Sequence, residues 1–190
     1  LLCCLIAFAA TAAHADTIHV PADHLTIQAG IDAAVNGDEV VVADGTWTGP
    51  GNTNLDFGGR LITLRSASGD PTLCIIDGGG YGGERGFHFH SGETDQAIVE
   101  GITIQDCHSY LEGGGMLIDG SSPTVINCIF TGNTASYGGG MCNNNNSSTR
   151  ATSSSFRSNA VTAHGGGREN NNNSEPNVTD CTLRRNTAGY

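Results

Sequence analysis

The sequence contains no lysine, and its eight arginines are outnumbered by nineteen aspartates and glutamates, which gives a formal net charge of −11. A chain this acidic, with no run of basic residues, is repelled by the phosphates of nucleic acid and by anionic membranes. We therefore expect neither as a partner. Catalytic signatures are missing as well: there is no Gly-x-Ser-x-Gly motif, and no Cys–His pair or close carboxylate pair can be assigned.

The start of the chain lacks a methionine and the basic residues that open a secretory signal, but its apolar run is typical of one. Residues 1–15 end in Ala13-His14-Ala15, a small-x-small cleavage site before Asp16. The run is too short to span a membrane. We therefore expect a signal peptide truncated at its start, followed by a secreted or cell-surface protein without a transmembrane segment.

A repeated module fills the second half of the chain. The run Gly113–Met116 recurs at Gly138–Met141 and, with a final arginine, at Gly165–Arg168, so that the copies lie 25 and 27 residues apart. A second marker, an apolar residue followed three positions later by asparagine, shares this period. Its members are Phe130 with Asn133, Phe156 with Asn159, and Leu183 with Asn186. A fixed period of this length is typical of repeat proteins, in which each unit buries its apolar face against the next.

The segment before each marker alternates in polarity, which is the pattern of a strand with one buried face. In the first copy, Cys128 and Phe130 belong to the apolar set and Asn127 to the polar set. The glycine, serine and asparagine content leaves no room for two amphipathic helices in each repeat. The sequence therefore predicts an all-β parallel solenoid over residues 16–190, with coils stacked about 4.8 Å apart.

The paired Phe-x-x-Asn and Gly-Gly-x-apolar markers resemble the repeats of the chlamydial polymorphic outer-membrane proteins. More broadly, they are similar to bacterial repeat proteins of the pectin-lyase-like superfamily. The resemblance covers most of the chain after residue 16 and implies a right-handed parallel β-helix. That fold hosts lyases, hydrolases, adhesins and autotransporter passengers, so it does not by itself select a function.

Two functions are compatible with these observations. The first is a secreted or cell-surface β-helix protein with a structural, adhesive or glycan-binding role, needing no cofactor, whose partner would be a polysaccharide or a cell-surface glycan. The alternative is a carbohydrate-active enzyme, either a polysaccharide lyase or a glycoside hydrolase. A lyase of the kind implied by the resemblance would need Ca²⁺ held by clustered carboxylates, and a base beside it. The regular repeats and the missing catalytic signatures favour the first function, and we expect no cleavage of polygalacturonate.

A pair of histidines is the first feature with possible site chemistry. His88 and His90 are two positions apart, so both point outward if Phe87 and Phe89 point inward. A metal would need a further ligand from a neighbouring coil, and we expect none to bind. The candidate further ligands are Asp77 and Asp119.

Arg85 lies within sequence reach of this strand and of Glu84. An arginine could replace the missing lysine as a lyase base only if it were positioned over the bound substrate, because its free pKa is far above neutrality. If the chain has a catalytic site, we expect it at Asp77, Arg85, His88 and His90.

Residues 26–36 predict a short helix that covers the open end of the solenoid, with partner binding as the alternative role. Its apolar face is formed by Ile27, Ile31, Ala34 and Val35. Residues 39–47 then predict the first strand. The coils become regular from about residue 97.

The asparagines of the second marker, Asn133, Asn159 and Asn186, predict a structural ladder at the coil corner, with left-handed backbone angles and bonds between their amides. The asparagine-rich runs 143–148 and 170–174 predict outward loops. Cys128 and Cys181 share an interior column but lie two coils apart, which is beyond disulfide reach.

The last residues, 186–190, repeat residues 133–137, which are followed by a glycine run. We therefore expect this chain to be a fragment, and the natural protein to continue with further coils.

Overall fold

The computed structural model describes residues 15–80, 82 and 84–189. These residues form an all-parallel β-solenoid of about 7 turns with a single short helix near the N-terminus. The predicted fold class is therefore confirmed. The predicted signal peptide lies, apart from Ala15, outside the described residues. No helix in this part of the chain is long and apolar enough to cross a membrane.

Each coil contributes strands to successive sheets, and strands one repeat apart pair in parallel. The elements in chain order are β1 (Thr17–Val20), α1 (Ile27–Ala33), β2 (Glu39–Val42), β3 (Gly45–Thr48), β4 (Thr63–Ser66), β5 (Cys74–Asp77), β6 (Phe87–Phe89), β7 (Ile98–Glu100), β8 (Thr103–Gln105), β9 (Met116–Asp119), β10 (Thr124–Ile126), β11 (Ile129–Thr131), β12 (Thr134–Tyr137), β13 (Met141–Asn144), β14 (Arg150–Thr152), β15 (Ser155–Arg157), β16 (Ala160–His164), β17 (Arg168–Asn170), β18 (Asn177–Thr179), β19 (Thr182–Arg184) and β20 (Thr187–Ala188).

The strands of the described residues form sheets that run along the solenoid axis. A seven-stranded sheet has the order β1-β2-β4-β7-β10-β14-β18, and a six-stranded sheet the order β3-β5-β8-β11-β15-β19. A four-stranded sheet contains β6-β9-β13-β17, and a three-stranded sheet β12-β16-β20. Residues one repeat apart therefore become neighbours on the same face.

The interior is filled by columns of apolar side chains that repeat from coil to coil. Phe130 lies opposite Ile104 in one neighbouring coil and Phe156 in the other. All three side chains are fully buried, and the two phenyl rings stack with their centroids 4.7 Å apart. Leu183 extends the column opposite Phe156 but is 54% exposed, because no described coil packs beyond it.

The alternation thus places Cys128 and Phe130 correctly on the inner face. Ile126, which the same alternation also predicts to point inward, is only half-buried, because the chain turns at Asn127 (φ 49°) and Val125 fills the core in its place.

The predicted helix is present as α1, which ends at Ala33. Thr26 caps its first turn, and the helix packs against β1 and β2. Two other features of the N-terminal end differ from the prediction. Val35 is 62% exposed rather than buried, because the Asp38 carboxylate accepts its backbone N–H at 2.8 Å and draws the chain out of the helix. The first strand is β1, not the segment after the helix: Ile18 lies opposite Val40 of β2.

The asparagine ladder joins successive coils through buried amides. Asn133 Oδ1 accepts the backbone N–H of Cys107 at 3.0 Å, and its Nδ2 donates to Ile104 O at 3.0 Å. The same Nδ2 donates to Asn159 Oδ1 at 3.1 Å, and Asn159 repeats this bond toward Asn186 at 3.0 Å. Each amide therefore links its own coil to the coils on both sides.

The prediction that these asparagines have left-handed backbone angles is wrong, because none of the three has a positive φ. The ladder amides must point inward to reach the neighbouring backbone, so the corner is turned one residue earlier. The residues that turn these three corners with positive φ are Gly132, Ser158 and Arg185.

The asparagine-rich runs are only partly outward loops, which corrects a second prediction. Asn143 and Asn144 belong to β13, and Asn170 belongs to β17. Asn143 is fully buried, and its Nδ2 donates to Asn170 Oδ1 at 3.1 Å. The next coil thus supplies a partner for the Asn143 Nδ2, which lowers the cost of burying the amide, although Asn143 Oδ1 accepts no hydrogen bond from the described residues. Only the tips of the runs, at 145–146 and 172–173, are exposed with positive φ.

The cysteines of the described chain are free thiols. Ser154 separates Cys128 from Cys181: Cys128 N donates to Ser154 Oγ at 3.1 Å, and Ser154 N donates to Cys181 Sγ at 3.4 Å. Burial raises the pKa of Cys74 and Cys107 to about 12. These thiols therefore stay protonated at neutral pH and fill space in the core.

Candidate functional site

The predicted histidine pair lies on the outer face of β6. Phe87 and Phe89 are fully buried, which leaves His88 and His90 on the other side of the strand. The two imidazole rings are 4.3 Å apart between centroids. His90 Nε2 lies 3.2 Å from Asp56 Oδ2, a carboxylate of the preceding coil. The sequence gives the direction of the histidines, and the structure adds Asp56 as their neighbour.

The surroundings of His88 favour its neutral form. Burial lowers the pKa of His88, and the nearby His90 and Arg85 lower it further, whereas Asp56 and Asp119 act in the opposite direction. Desolvation is the largest of these effects because the ring is partly covered on the sheet surface. These surroundings thus favour a neutral His88 ring at physiological pH.

This shift predicts a pH effect on stability. A histidine whose pKa is lower in the folded chain than in the unfolded chain stabilises the fold fully above its unfolded pKa, about 6.5, and loses that contribution as the pH falls below it. His88→Gln should therefore reduce the fall in melting temperature between about pH 7.5 and pH 5.5. His24→Gln, which removes a histidine outside this cluster, is the control. An unchanged pH profile in His88→Gln would contradict the prediction.

The predicted patch is not brought together as a whole. Asp77 lies at the end of β5 in the six-stranded sheet, whereas the histidines lie in the four-stranded sheet. Its carboxylate accepts Gln105 Nε2 at 2.8 Å and Gly79 N at 2.8 Å. Asp119 does lie on the histidine face, but it accepts Asn145 Nδ2 at 2.6 Å. Within residues 15–80, 82 and 84–189, no group of three or more His, Cys, Asp or Glu side chains could hold a metal ion.

Arg85 holds a loop rather than an acid. Its Nε donates to the backbone oxygen of Glu112 at 3.0 Å, and its Nη2 donates to Ser109 Oγ at 3.1 Å. Burial lowers the pKa of Arg85, although the Glu112 carboxylate opposes this shift. The guanidinium thus fastens both ends of the segment 108–112, which we call the clamped loop.

The clamped loop presents apolar side chains to solvent on a fixed backbone. Tyr110 is 73% exposed and Leu111 is 68% exposed. The oxygen of Leu111 accepts the backbone N–H groups of Ser136 and Tyr137, both at 2.9 Å. His108 packs edge-on against the Tyr110 ring, with the centroids 4.8 Å apart. This loop is the most exposed aromatic feature of the region around Arg85.

A polar cleft lies beside the clamped loop. It has a volume of about 380 Å³ and is lined by Glu112, Tyr137, Asn144, Asn171 and Asn172. Asn172 Nδ2 donates to Asn144 Oδ1 at 2.8 Å, and Asn144 Nδ2 lies 3.4 Å from Glu112 Oε2. Tyr137 is 38% exposed and extends the aromatic surface to the cleft. We call the clamped loop and this cleft together the aromatic face.

Neither the aromatic face nor a group of arginines is predicted from the sequence. Arg157 and Arg184 are 27 residues apart, which is one repeat, and lie opposite each other in β15 and β19. Arg185 follows at the corner. The repeat spacing could have identified this pair of arginines. The strongly acidic net charge of the whole chain, by contrast, gives no indication of a local basic cluster.

The fold places the chain among the parallel β-solenoids. No protein-family model, no curated protein and no solved structure matches it. The surfaces of the described residues are therefore the basis for a proposed function.

Proposed function

We propose that this chain is an exported β-solenoid that binds glycans through its aromatic face and makes no use of catalysis. The observation that carries the proposal is the pair of exposed tyrosines, Tyr110 and Tyr137, held on hydrogen-bonded backbone next to a cleft of amides and a carboxylate. The apolar leader of residues 1–15 supports export.

The tyrosines suit the apolar side of a sugar. A pyranose ring has faces of C–H groups, which pack on aromatic rings, and an edge of hydroxyl groups, which need hydrogen bonds. Tyrosine offers a large rigid surface and loses little conformational entropy on binding. The hydrogen bonds from Ser136 and Tyr137 to Leu111 O fix the backbone of the clamped loop. Ligand binding therefore loses little conformational entropy in ordering this loop.

The cleft suits the polar edge. The amides of Asn144 and Asn172 each offer both donors and acceptors, and the carboxylate of Glu112 accepts only. A few convergent polar groups beside an apolar surface are typical of small-molecule sites. Both exposed apolar area and polar partners thus lie within one surface.

The likeness of the repeats to those of the chlamydial polymorphic outer-membrane proteins and of the pectin-lyase-like superfamily supports the same proposal. We propose on this basis that the solenoid is a right-handed β-helix displayed at a cell surface or secreted. Release of unsaturated oligosaccharides from polygalacturonate with Ca²⁺, abolished by Arg85→Ala, would instead favour the lyase alternative.

Affinity electrophoresis through gels that contain neutral polysaccharides, such as xylan, mannan or mixed-linkage glucan, tests the proposal. At least one of these polymers should retard the protein. The double variant Tyr110→Ala/Tyr137→Ala should weaken that binding about tenfold or more, since truncated aromatic anchors often cost over 1 kcal/mol each.

The control removes exposed apolar side chains elsewhere, as Leu25→Ala/Leu73→Ala, and should bind like the parent. Leu25, Leu73 and Tyr110 are at least half exposed, and Tyr137 is 38% exposed, so the control should keep the parent melting temperature and the tyrosine double variant should stay within a few degrees of it. Equal binding by the tyrosine double variant, or no retardation by any polymer, would refute a glycan site on this face.

A further inference from the structure

A basic surface forms on the six-stranded sheet, away from the aromatic face. Thr131, Arg157 and Arg184 lie opposite one another in β11, β15 and β19 and point outward, because Phe130 and Phe156 of the same strands point inward. Arg157 and Arg184 are thus one coil spacing apart, about 4.8 Å. Arg185 stands beside Arg184 at the corner. We call these three arginines the arginine ladder.

The arginine ladder is not neutralised by the protein. Its three side chains are exposed, and none donates a hydrogen bond or forms an ion pair with another described residue. Arg65 and Arg85, by contrast, are engaged: Arg65 pairs with Glu39, and Arg85 holds the clamped loop. Like charges directly opposite each other on neighbouring strands destabilise a sheet. An anion bound between them would relieve this repulsion.

The surroundings offer donors as well as charge. The arginine ladder borders a cleft of about 420 Å³, whose other walls include the side chains of Thr131, Ser155 and Thr182. Guanidinium groups bind carboxylate, sulfate and phosphate oxygens through two parallel hydrogen bonds. Hydroxyl groups can donate to the remaining oxygens or to sugar hydroxyls. The cleft therefore fits an oxyanion attached to a polar carrier.

The rest of the six-stranded sheet limits the length of polyanion that can bind along it. The column that contains Arg157 continues through Thr131 and Gln105 to Asp77, so its charge changes sign along the solenoid axis. Asp106 adds a second acid at that end, and burial and the nearby Asp77 raise its pKa. A densely charged strand laid along the axis would meet these acids. None of the lining side chains is aromatic, so nucleic-acid bases would find no stacking surface there.

From this arrangement we propose that the arginine ladder binds an anionic glycan through a single acidic group, a sulfate ester or a uronate carboxylate, seated between Arg157 and Arg184. The site lies on a different sheet from the aromatic face and is independent of the glycan binding proposed there.

Affinity electrophoresis at low ionic strength with dextran sulfate, polygalacturonate, uncharged dextran and a single-stranded oligonucleotide tests the site. Dextran sulfate or polygalacturonate should retard the protein and uncharged dextran should not; which of the two binds more tightly identifies the acidic group. Arg184→Gln should weaken binding about tenfold or more, the loss expected for a charge-assisted bidentate contact. Binding should also weaken as salt is added.

The matched control is Arg150→Gln, which removes the same charge from an exposed position in the seven-stranded sheet. It should change the affinity less than twofold. Arg184→Gln should not lower the melting temperature, since it removes a repulsive neighbour of Arg157. Equal losses in the two variants, tighter binding of the oligonucleotide than of either acidic glycan, or no binding of any charged polymer would each overturn the proposal.

Discussion

Replacing Phe130 by aspartate is expected to cause a large loss of stability. Its ring is fully buried and stacks on Phe156, with the ring planes only 6° from parallel. The variant loses the burial of a large apolar side chain, about 1.5–3 kcal/mol, and the remaining carboxyl group is enclosed without a partner. A total loss of about 4 kcal/mol or more would lower the melting temperature by roughly 10 °C or more in a chain of this length.

The control lies three residues earlier, on the other face. Asn127 has φ 49° and donates from Nδ2 to Gly69 O at 3.0 Å. Aspartate also tolerates this backbone angle, so Asn127→Asp loses one partly exposed hydrogen bond, about 1 kcal/mol or less. Thermal unfolding followed by circular dichroism compares the two variants. Similar shifts in both would mean that the inner and outer faces are assigned the wrong way round.

The repeat period explains why the fold could be predicted. Two markers with one spacing fix the coil length, and alternation within each copy fixes which side chains enter the core. Strand β1 was missed because Thr17–Val20 belongs to no repeat and becomes a strand only by pairing with β2. Asn143 was assigned to a loop because a lone asparagine is costly to bury; its partner Asn170 is supplied by the next coil.

The candidate site was harder to predict because it depends on the irregular early coils. The sequence shows that His88 and His90 point outward but cannot show that Asp77 ends in a different sheet. The contact between Arg85 and the clamped loop joins segments whose register cannot be counted from a repeat. Arg157 and Arg184, by contrast, follow the period and could have been found by it.

The glycine runs provide the last prediction, because the structure shows what each position requires. Gly113 has φ 61° and turns the chain, whereas Gly115 is needed for space. A Cβ atom on Gly115 would lie 2.5 Å from Gly140 O and 3.0 Å from a ring carbon of Phe130. Gly115→Ala is therefore expected to destabilise the solenoid by about 3 kcal/mol, at the upper end of the cost of overpacking.

Neither neighbouring group can move away from the added Cβ atom without a large free-energy cost. Gly140 O accepts the backbone N–H of Met116 at 3.0 Å, so moving it breaks the pairing of two coils, and the Phe130 ring is held in the stacked core. The matched control is Gly120→Asn, at a corner with φ 62° where a Cβ atom would approach nothing closer than Asn145 O at 3.9 Å. Asparagine accepts such an angle, so this variant should unfold within a few degrees of the parent. A melting temperature for Gly115→Ala equal to that of Gly120→Asn would show that adjacent coils are not packed backbone against backbone at the glycine runs.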